Sequence, residues 1–565
     1  MQRNIFCLVV GCFLLIPCLS NSQELTDVIE MDLVQLMEQD VVTPSRTVQK
    51  VSDAPGTVIV VTQQQIKERG YVNLVDLMED LPGVDVSHKS VESWFNQIAI
   101  HGNTGNNKFI IMQDGIRISS PTGEIIPISD NFPLFHAQQV EVIYGPASAL
   151  YGADAFTGVV NIITKKAEAV DGVEVSSSMG TDDYFYNYLN FGKKLTENVK
   201  FTFGGHWQKS QNPDLSKTWP DRFKPVDLVD FGGNVLIDAA DREPFTAQTE
   251  SYSAYANLDL FDNFSVGFTQ SFMEHPTTIG AKPENAIFSK DAVWQTKIDT
   301  YHGKYRKDFT EKLSGESTVL YSKYELLPDS KFTNNFANFN SFKYGRGEKL
   351  KLEQQLNYHW ADIHDLVGGF IFEDFSVIPK TADLSSKYDT GKGVDEQGFF
   401  YLGTDNTLPL KIFQIDYQNY GFYVQAQSKW KDWLSSTIGF RFDHDTRFGN
   451  SVNPRVGLIM KPSKKTTLKV FYGEAYLAPS VNLAWAHFGS FDGFNAGTGN
   501  YTSSFFHIPN PDLQPEKSRT IDMNLTHNMT PDLVLSGTVY YTRVDDIIAT
   551  TSADDGSDFI PGGEI

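Results

Sequence analysis

From Val173 onwards the chain is written in a period of two. Phe264, Val266, Phe268 and Phe272 alternate with Ser265, Gly267, Thr269 and Ser271, and Val199, Phe201, Phe203 and Trp207 alternate with Lys200, Thr202, His206 and Gln208. Successive side chains of a strand point to opposite faces, so each such segment presents one apolar face and one small or polar face. About 16 segments of roughly ten residues follow this pattern. The turns Thr196-Glu197-Asn198, Asp262-Asn263 and Asp362-Ile363-His364 are short, whereas Ser210–Glu250 and Pro479–Pro511 are long, polar and aromatic-rich. Short turns at one end and long loops at the other are the asymmetry of membrane β-barrels, and a soluble sandwich has no reason to show it. Tyr252, Trp360, Tyr423, Trp430 and Trp433 lie near strand ends, where amphipathic rings would sit at the headgroup level. No repeat unit of the propeller or solenoid kind is visible.

At the N-terminus, Arg3 precedes an apolar run from Ile5 to Leu19 that is followed by Ser20 and Ser22. This is the layout of a secretory signal peptide, residues 1–22, and the run falls short of the roughly 18 apolar residues that span a bilayer. Cys7, Cys12 and Cys18 all lie inside it, so no disulfide, thiol nucleophile or cysteine zinc site is expected beyond it. The net charge of -23 argues against nucleic acid, which is bound by clustered Lys and Arg. There is no Gly-x-Ser-x-Gly elbow, His-Glu-x-x-His helix or convincing carboxylate pair, so no enzyme activity is expected.

Between leader and barrel the texture is mixed. Glu24–Glu38 has the apolar spacing of a short amphipathic helix, and Gln39-Asp40-Val41-Val42-Thr43-Pro44 is extended. On its residues alone this second segment reads as a linker, or as a strand seeking another protein's edge. From Val51 an α/β unit follows: a strand Thr57–Val61, a helix opened by Thr62 and Gln65 and ended at Gly70, and a helix capped by Asn73 that carries Leu74, Leu77, Met78 and Leu81 and stops at Pro82-Gly83. Ile98–Ile100, Phe109–Met112 and Val140–Ile143 read as strands, with Asp114-Gly115 a turn. The last part, Val140–Lys166, joins two apolar runs through Gly145-Pro146, Gly152 and Gly158 and lacks the Gly-Lys-Ser/Thr of a phosphate cradle.

That last stretch closely resembles the final block of the plug domain of TonB-dependent outer-membrane receptors. Asn73–Leu77 with Pro82-Gly83-Val84, and Asp114-Gly115-Ile116-Arg117, resemble plug signatures in the same order; Gly439–Asp443, Asn453–Gly457, Ala478-Pro479 and Asn510–Glu516 resemble barrel signatures. The resemblance implies an antiparallel membrane β-barrel, of about 22 strands in the family, with an N-terminal α/β plug inside it. Residues 23–50 would be a periplasmic segment, 51–166 the plug and 172–565 the barrel. Asp40, Val41, Val42 and Thr43 would form the box that pairs with TonB, which overturns the linker reading. Asp114, Gly115, Arg117, Glu141, Gly145, Pro146, Tyr151, Gly152 and Asn161 would be the plug signature. The implied function is active import of a scarce nutrient by a monomer in the bacterial outer membrane, with no resident cofactor or metal. Its ligand would be a small-molecule metal chelate, a ferric siderophore first because such chelates are commonest in the family. Heme or cobalamin are the alternatives, and a passive porin or adhesin, which needs neither plug nor box, is the rival from another class.

Ligand contacts are expected from the plug loops Ser87–Gln97 and Ser119–Phe132 and the loop Pro479–Pro511, through His88, Trp94, Phe95, Phe132, Trp485, His487, Phe488 and Phe491. Those rings would meet a flat or aryl-bearing ligand or pack on one another. His487 and His507 carry the heme reading, and Asp554, Asp555 and Asp558 are a weak calcium pattern. The chain departs from the family in having His101, Tyr144 and Leu477 where Arg is usual. A plug held less tightly by ion pairs is expected, with Glu141 needing another partner and Tyr144→Arg not speeding plug unfolding. The sequence stops in turn chemistry at Pro561–Ile565, roughly six strands short of 22, and an open edge cannot face lipid. A fragment of a longer protein is therefore expected.

Overall fold

The computed structural model describes residues 38–88, 96–229, 233–277, 283–334, 339–361, 363–401, 408–491, 493–497, 499–502, 505–530, 533–549 and 560–561. The expected leader, residues 24–37 of the expected helix, Trp94, Phe95 and the acidic cluster at Asp554–Asp558 lie outside the described residues.

Fifteen strands, from Gly172–Met179 to Leu533–Asp545, form one antiparallel sheet in which each long strand pairs with the next along the chain. The strand Gly345–Trp360 shows why: Leu350, Leu352, Leu356 and Tyr358 point outward and are exposed, while Lys349, Lys351, Glu353 and Gln355 point inward. A wall that is apolar outside and polar inside is the reverse of a soluble core, and only hydrocarbon outside makes it favourable. The first and last strands of this sheet are not paired with each other. At one rim the links are tight, as from Thr196 to Val199 and Leu260 to Phe264; at the other they are long, as from Ser210 to Thr249 and Leu477 to Glu516. Trp360, Trp430 and Trp433 are exposed at the short-turn rim. Tyr423 corrects the expected girdle: it falls on the inward parity of Ile415–Lys431 and is fully buried.

The N-terminal globule sits within this wall. Its central sheet runs in the order Val58–Thr62, Ala137–Tyr144, Gly158–Thr164, Phe109–Gln113, Ile116–Arg117, with Gly158–Thr164 and Phe109–Gln113 parallel. The helix Gln63–Arg69 opens on the expected Thr62–Gln65 capping box and closes on Gly70 in the left-handed region at φ 71°. The second helix, Leu74–Glu79, is capped by Asn73 and ends two residues before Leu81, which still joins the core. Leu74, Leu77, Met78, Ile98, Phe109, Phe132 and Val140 pack there together. Barrel side chains then reach in to the globule's backbone: Ser271 Oγ donates to the Asn131 carbonyl at 3.0 Å and Lys304 Nζ to that of Asp114 at 2.7 Å.

Candidate functional site

Asp40–Val41 forms a short antiparallel pair with Gln49–Lys50, and Lys50 Nζ lies 2.8 Å from the Asp40 carboxylate. The segment that reads as a linker is thus a folded hairpin, with Val41 and Thr43 buried. Its other edge faces the plug strand Ala137–Tyr144. Glu141, fully buried, accepts from the Thr43 N–H at 2.9 Å, from the Thr43 hydroxyl and from the Val42 N–H at 3.2 Å. Gln139 Nε2 bridges the Glu141 carboxylate and the Asp40 carbonyl. Asn161 Nδ2 donates to Thr43 Oγ1 at 2.9 Å, and Tyr151 OH donates to the Thr43 carbonyl at 2.7 Å. Glu141, Tyr151 and Asn161 therefore converge on one threonine, and the partner that Glu141 needed is this hairpin.

The remaining signature residues shape the plug around that contact. Asp114, at φ 49°, and Gly115, at φ 77°, make the turn after Phe109–Gln113, and the Gly115 N–H donates to Asn161 Oδ1 at 3.1 Å. Burial raises the Asp114 carboxyl, but Lys166, the two Thr164 donors and Lys304 outweigh it and leave the pKa below the ordinary carboxylate value. Arg117 pairs with Asp154 at 2.9 Å. Gly145, at φ 82°, and Pro146 turn the chain toward Ser148–Tyr151. Gly152, at φ 79°, has no room for a side chain, since a Cβ would stand 2.7 Å from the Arg441 guanidinium. Arg441 itself is gripped by both Asp443 oxygens at 2.7 Å, which gives the Gly439–Asp443 pattern its meaning.

Nothing in the sequence pattern singles out Arg46, three residues past Thr43. It is ion-paired with Glu353 and donates to Tyr423 OH at 2.9 Å and to the Leu150 carbonyl at 2.7 Å, between the rings of Tyr151 and Tyr423. A cavity of about 630 Å³ begins beside it and runs between plug and wall past Lys351, Glu373 and Tyr417 to Arg447.

The expected ligand residues do not form one surface. Phe132 is 1% exposed within the plug core, because its loop folds inward under Asn73 and Pro133, and so it is corrected to a core residue. Phe491 is equally buried, packed with Tyr344, Tyr401 and Leu410 in a small core built by the outer loops themselves. Trp485 and His487 pack edge-on against Phe413, and Phe488 stacks on His507 at 4.9 Å. His507 Nδ1 meets the Ala486 carbonyl at 3.0 Å. His88 is exposed and meets Glu79 at 2.9 Å. The contact missed by the sequence reading is Glu124, at the tip of the 119–132 loop, whose carboxylate accepts from the Asn482 N–H at 3.2 Å. Burial pushes its pKa up to about 7 against the pull of that N–H, Lys380 and Arg447.

Residues 50–159 match the family model described as the TonB-dependent Receptor Plug Domain, and residues 240–561 match that described as TonB dependent receptor-like, beta-barrel. The chain belongs to the TonB-dependent receptor family. The curated Vitamin B12 transporter BtuB of Vibrio cholerae is 22% identical to this receptor over 456 residues, which are 79% of this chain and 64% of BtuB. The receptor thus spans 64% of the length of that relative. The ferric enterobactin receptor PfeA of Pseudomonas aeruginosa shares its fold with a TM-score of 0.62 at 18% identity, covering 86% of this chain and 71% of PfeA. The siderophore receptor PirA of Acinetobacter baumannii gives 0.62 at 18% identity, covering 87% and 71%.

Proposed function

We propose that this receptor imports a small metal chelate across the bacterial outer membrane, with the force supplied by TonB drawing on Asp40–Thr43. The observation that carries this reading is the docking of that short strand on Glu141, Tyr151 and Asn161, where a plug closes the inside of a polar-lined wall. A passive pore has no use for a removable strand held on its own plug. The outer membrane holds neither ATP nor a gradient of its own, so work must arrive through a partner. One edge of Asp40–Val41 is taken by Gln49–Lys50 and the other by the plug, so TonB pairing by strand addition requires the hairpin to leave first.

A ferric siderophore is the first ligand, supported by the likeness to PfeA and PirA. Cobalamin is the second, supported by the likeness to BtuB. The heme reading is weakened, because His487 and His507 are packed among loop aromatics and His88 is paired with Glu79. Growth on a panel of ferric chelates, heme and cobalamin tests the ligand, and deletion of Asp40–Thr43 tests the mechanism. Binding should survive the deletion while uptake is abolished; uptake that continues unchanged would sink the TonB reading.

A further inference from the structure

Residues 44–55 form a loop whose two ends are tied to the wall by one side chain. Arg455, on the strand Gly449–Ser463, donates from one Nη to the Pro44 carbonyl at 3.0 Å and from the other to the Pro55 carbonyl at 2.7 Å. On the next strand, Thr466–Leu477, Lys469 Nζ donates to the carbonyls of Val51 at 2.8 Å and Ala54 at 2.9 Å. Lys461 adds a contact to the Asp53 carboxylate at 2.6 Å. Arg455 and Lys469 are 6% and 3% exposed. Their hydrogen bonds end on backbone carbonyls, so they recognise the folded path of this loop; a planar guanidinium can bridge two acceptors in this way only while both stay in place.

The position of the loop matters more than its energy. The docked segment Asp40–Thr43 enters it, and the plug's edge strand Val58–Thr62 leaves it to pair with Ala137–Tyr144 from Val58 opposite Ile143 to Thr62 opposite Gln139. A pull applied before Pro44 therefore meets Arg455, and Arg46 with its tie to Glu353, before it can load that ladder.

We propose that Arg455 and Lys469 are a mechanical clamp: they pass the first part of a pull on Asp40–Thr43 into the barrel wall, and their failure lets out residues 44–55 as slack while the plug sheet stays folded. The proposal rests on reading Asp40–Thr43 as the pulling point. Twelve residues drawn out span at most about 40–43 Å, and because one guanidinium reaches both ends of the folded loop, nearly all of that length is added reach for a partner below the short-turn rim. Arg46, Thr47 and Val48 line the 630 Å³ cavity, so the same event removes part of its wall and widens it toward that rim.

The test is single-molecule pulling on the whole receptor in lipid discs. The barrel is fixed through an outer-loop tag and the handle sits on Glu38→Cys, the single cysteine of that variant beyond residue 22. Once Asp40–Thr43 has come off Glu141, Tyr151 and Asn161, the parent should lengthen in two further steps, the first by about 30–40 Å and the second when Val58–Thr62 leaves. In the double variant Arg455→Gln, Lys469→Met the force of the first step should fall several-fold with the second unchanged, and Arg455→Lys should give an intermediate first step. Heat-modifiable gel migration checks that each barrel is folded; if the double variant does not fold, the step lengths of the parent and the force in Arg455→Lys decide. A first step that carries the edge strand with it, or a first-step force untouched in the variants, overturns the clamp. Import that survives deletion of Asp40–Thr43 would instead sink the functional reading and leave the order of the two steps to stand on its own.

Discussion

Glu141 is a fully buried carboxylate whose hydrogen bonds come from Val42, Thr43 and Gln139 and not from an arginine. Hydrogen bonds to a charged group contribute about 1.5–3 kcal/mol. Glu141→Ala should therefore free the hairpin and speed amide exchange at Thr43 roughly tenfold to hundredfold; exchange as slow as in the parent would show that Tyr151 and Asn161 suffice. At Tyr144 the geometry reverses the expectation drawn from the family pattern. Tyr144 and Glu141 are an odd number of residues apart on one strand, so they point to opposite faces and an arginine at 144 could not pair with Glu141. Tyr144 is 6% exposed, stacked on His101 at 5.1 Å, and His101 stacks in turn on Tyr540 at 3.8 Å. Leu477, the third place where arginine is usual, packs with Phe156. Rings and apolar contact occupy all three positions. Tyr144→Arg should destabilise the plug by about 3 kcal/mol or more, as an unpaired buried charge. Tyr144→Phe should be neutral or stabilising by about 1 kcal/mol, because the hydroxyl is buried without a hydrogen-bond partner among the described residues. Denaturant melts of the two variants separate these outcomes.

Local elements were legible in the sequence where the local code is strong. Thr62 with Gln65, Asn73 and Gly70 mark helix ends through backbone groups that must be satisfied nearby, and the alternation marks strands. Loop rings were not legible, because burial of Phe132 and Phe491 is decided by residues distant in sequence, such as Leu74 and Tyr401. Arg46 was invisible for the same reason: its partner Glu353 lies 307 residues further along the chain, on the strand Gly345–Trp360. Glu124 is another such case, and its environment predicts a pH dependence. Its folded-state pKa, about 7, lies above the ordinary glutamate value, so the unfolded chain gives up this proton at lower pH than the folded one. Stability is then greatest below about pH 4.5, falls as pH rises to about 7 and is level above that. Glu124→Gln keeps an acceptor for the Asn482 N–H and removes the titration. It should match the parent at pH 4 and exceed it at pH 8 by on the order of 1–3 kcal/mol, toward the low end because Glu124 keeps some solvent contact. Equal melting differences at both pH values would remove Glu124 from the account.

For the whole molecule, inside and outside are exchanged relative to a soluble protein, and this was legible from the alternation. Parity alone assigns each residue of Gly345–Trp360 to a face once one residue is placed, which is why a two-residue period outweighs any single motif. It did not tell which inward residues touch the plug, since that depends on the depth of the globule in the wall. The same parity gives two substitutions of equal chemistry and opposite consequence. Leu352, 43% exposed, faces outward in mid-strand, and Gln355 faces the interior near Arg46 and Tyr423. An arginine at a lipid-facing mid-depth position costs about 2–4 kcal/mol, because no water is present to solvate it. Leu352→Arg should therefore lower the urea midpoint for refolding into vesicles by that amount with plug docking unaltered. Gln355→Arg should leave the midpoint nearly unchanged and loosen the hairpin, because it sets a third cation beside Arg46 and Lys351 at Glu353. If Leu352→Arg refolds as well as the parent while Gln355→Arg does not, then hydrocarbon is not what faces the outer side of this sheet, and an outer-membrane barrel is the wrong description of the molecule.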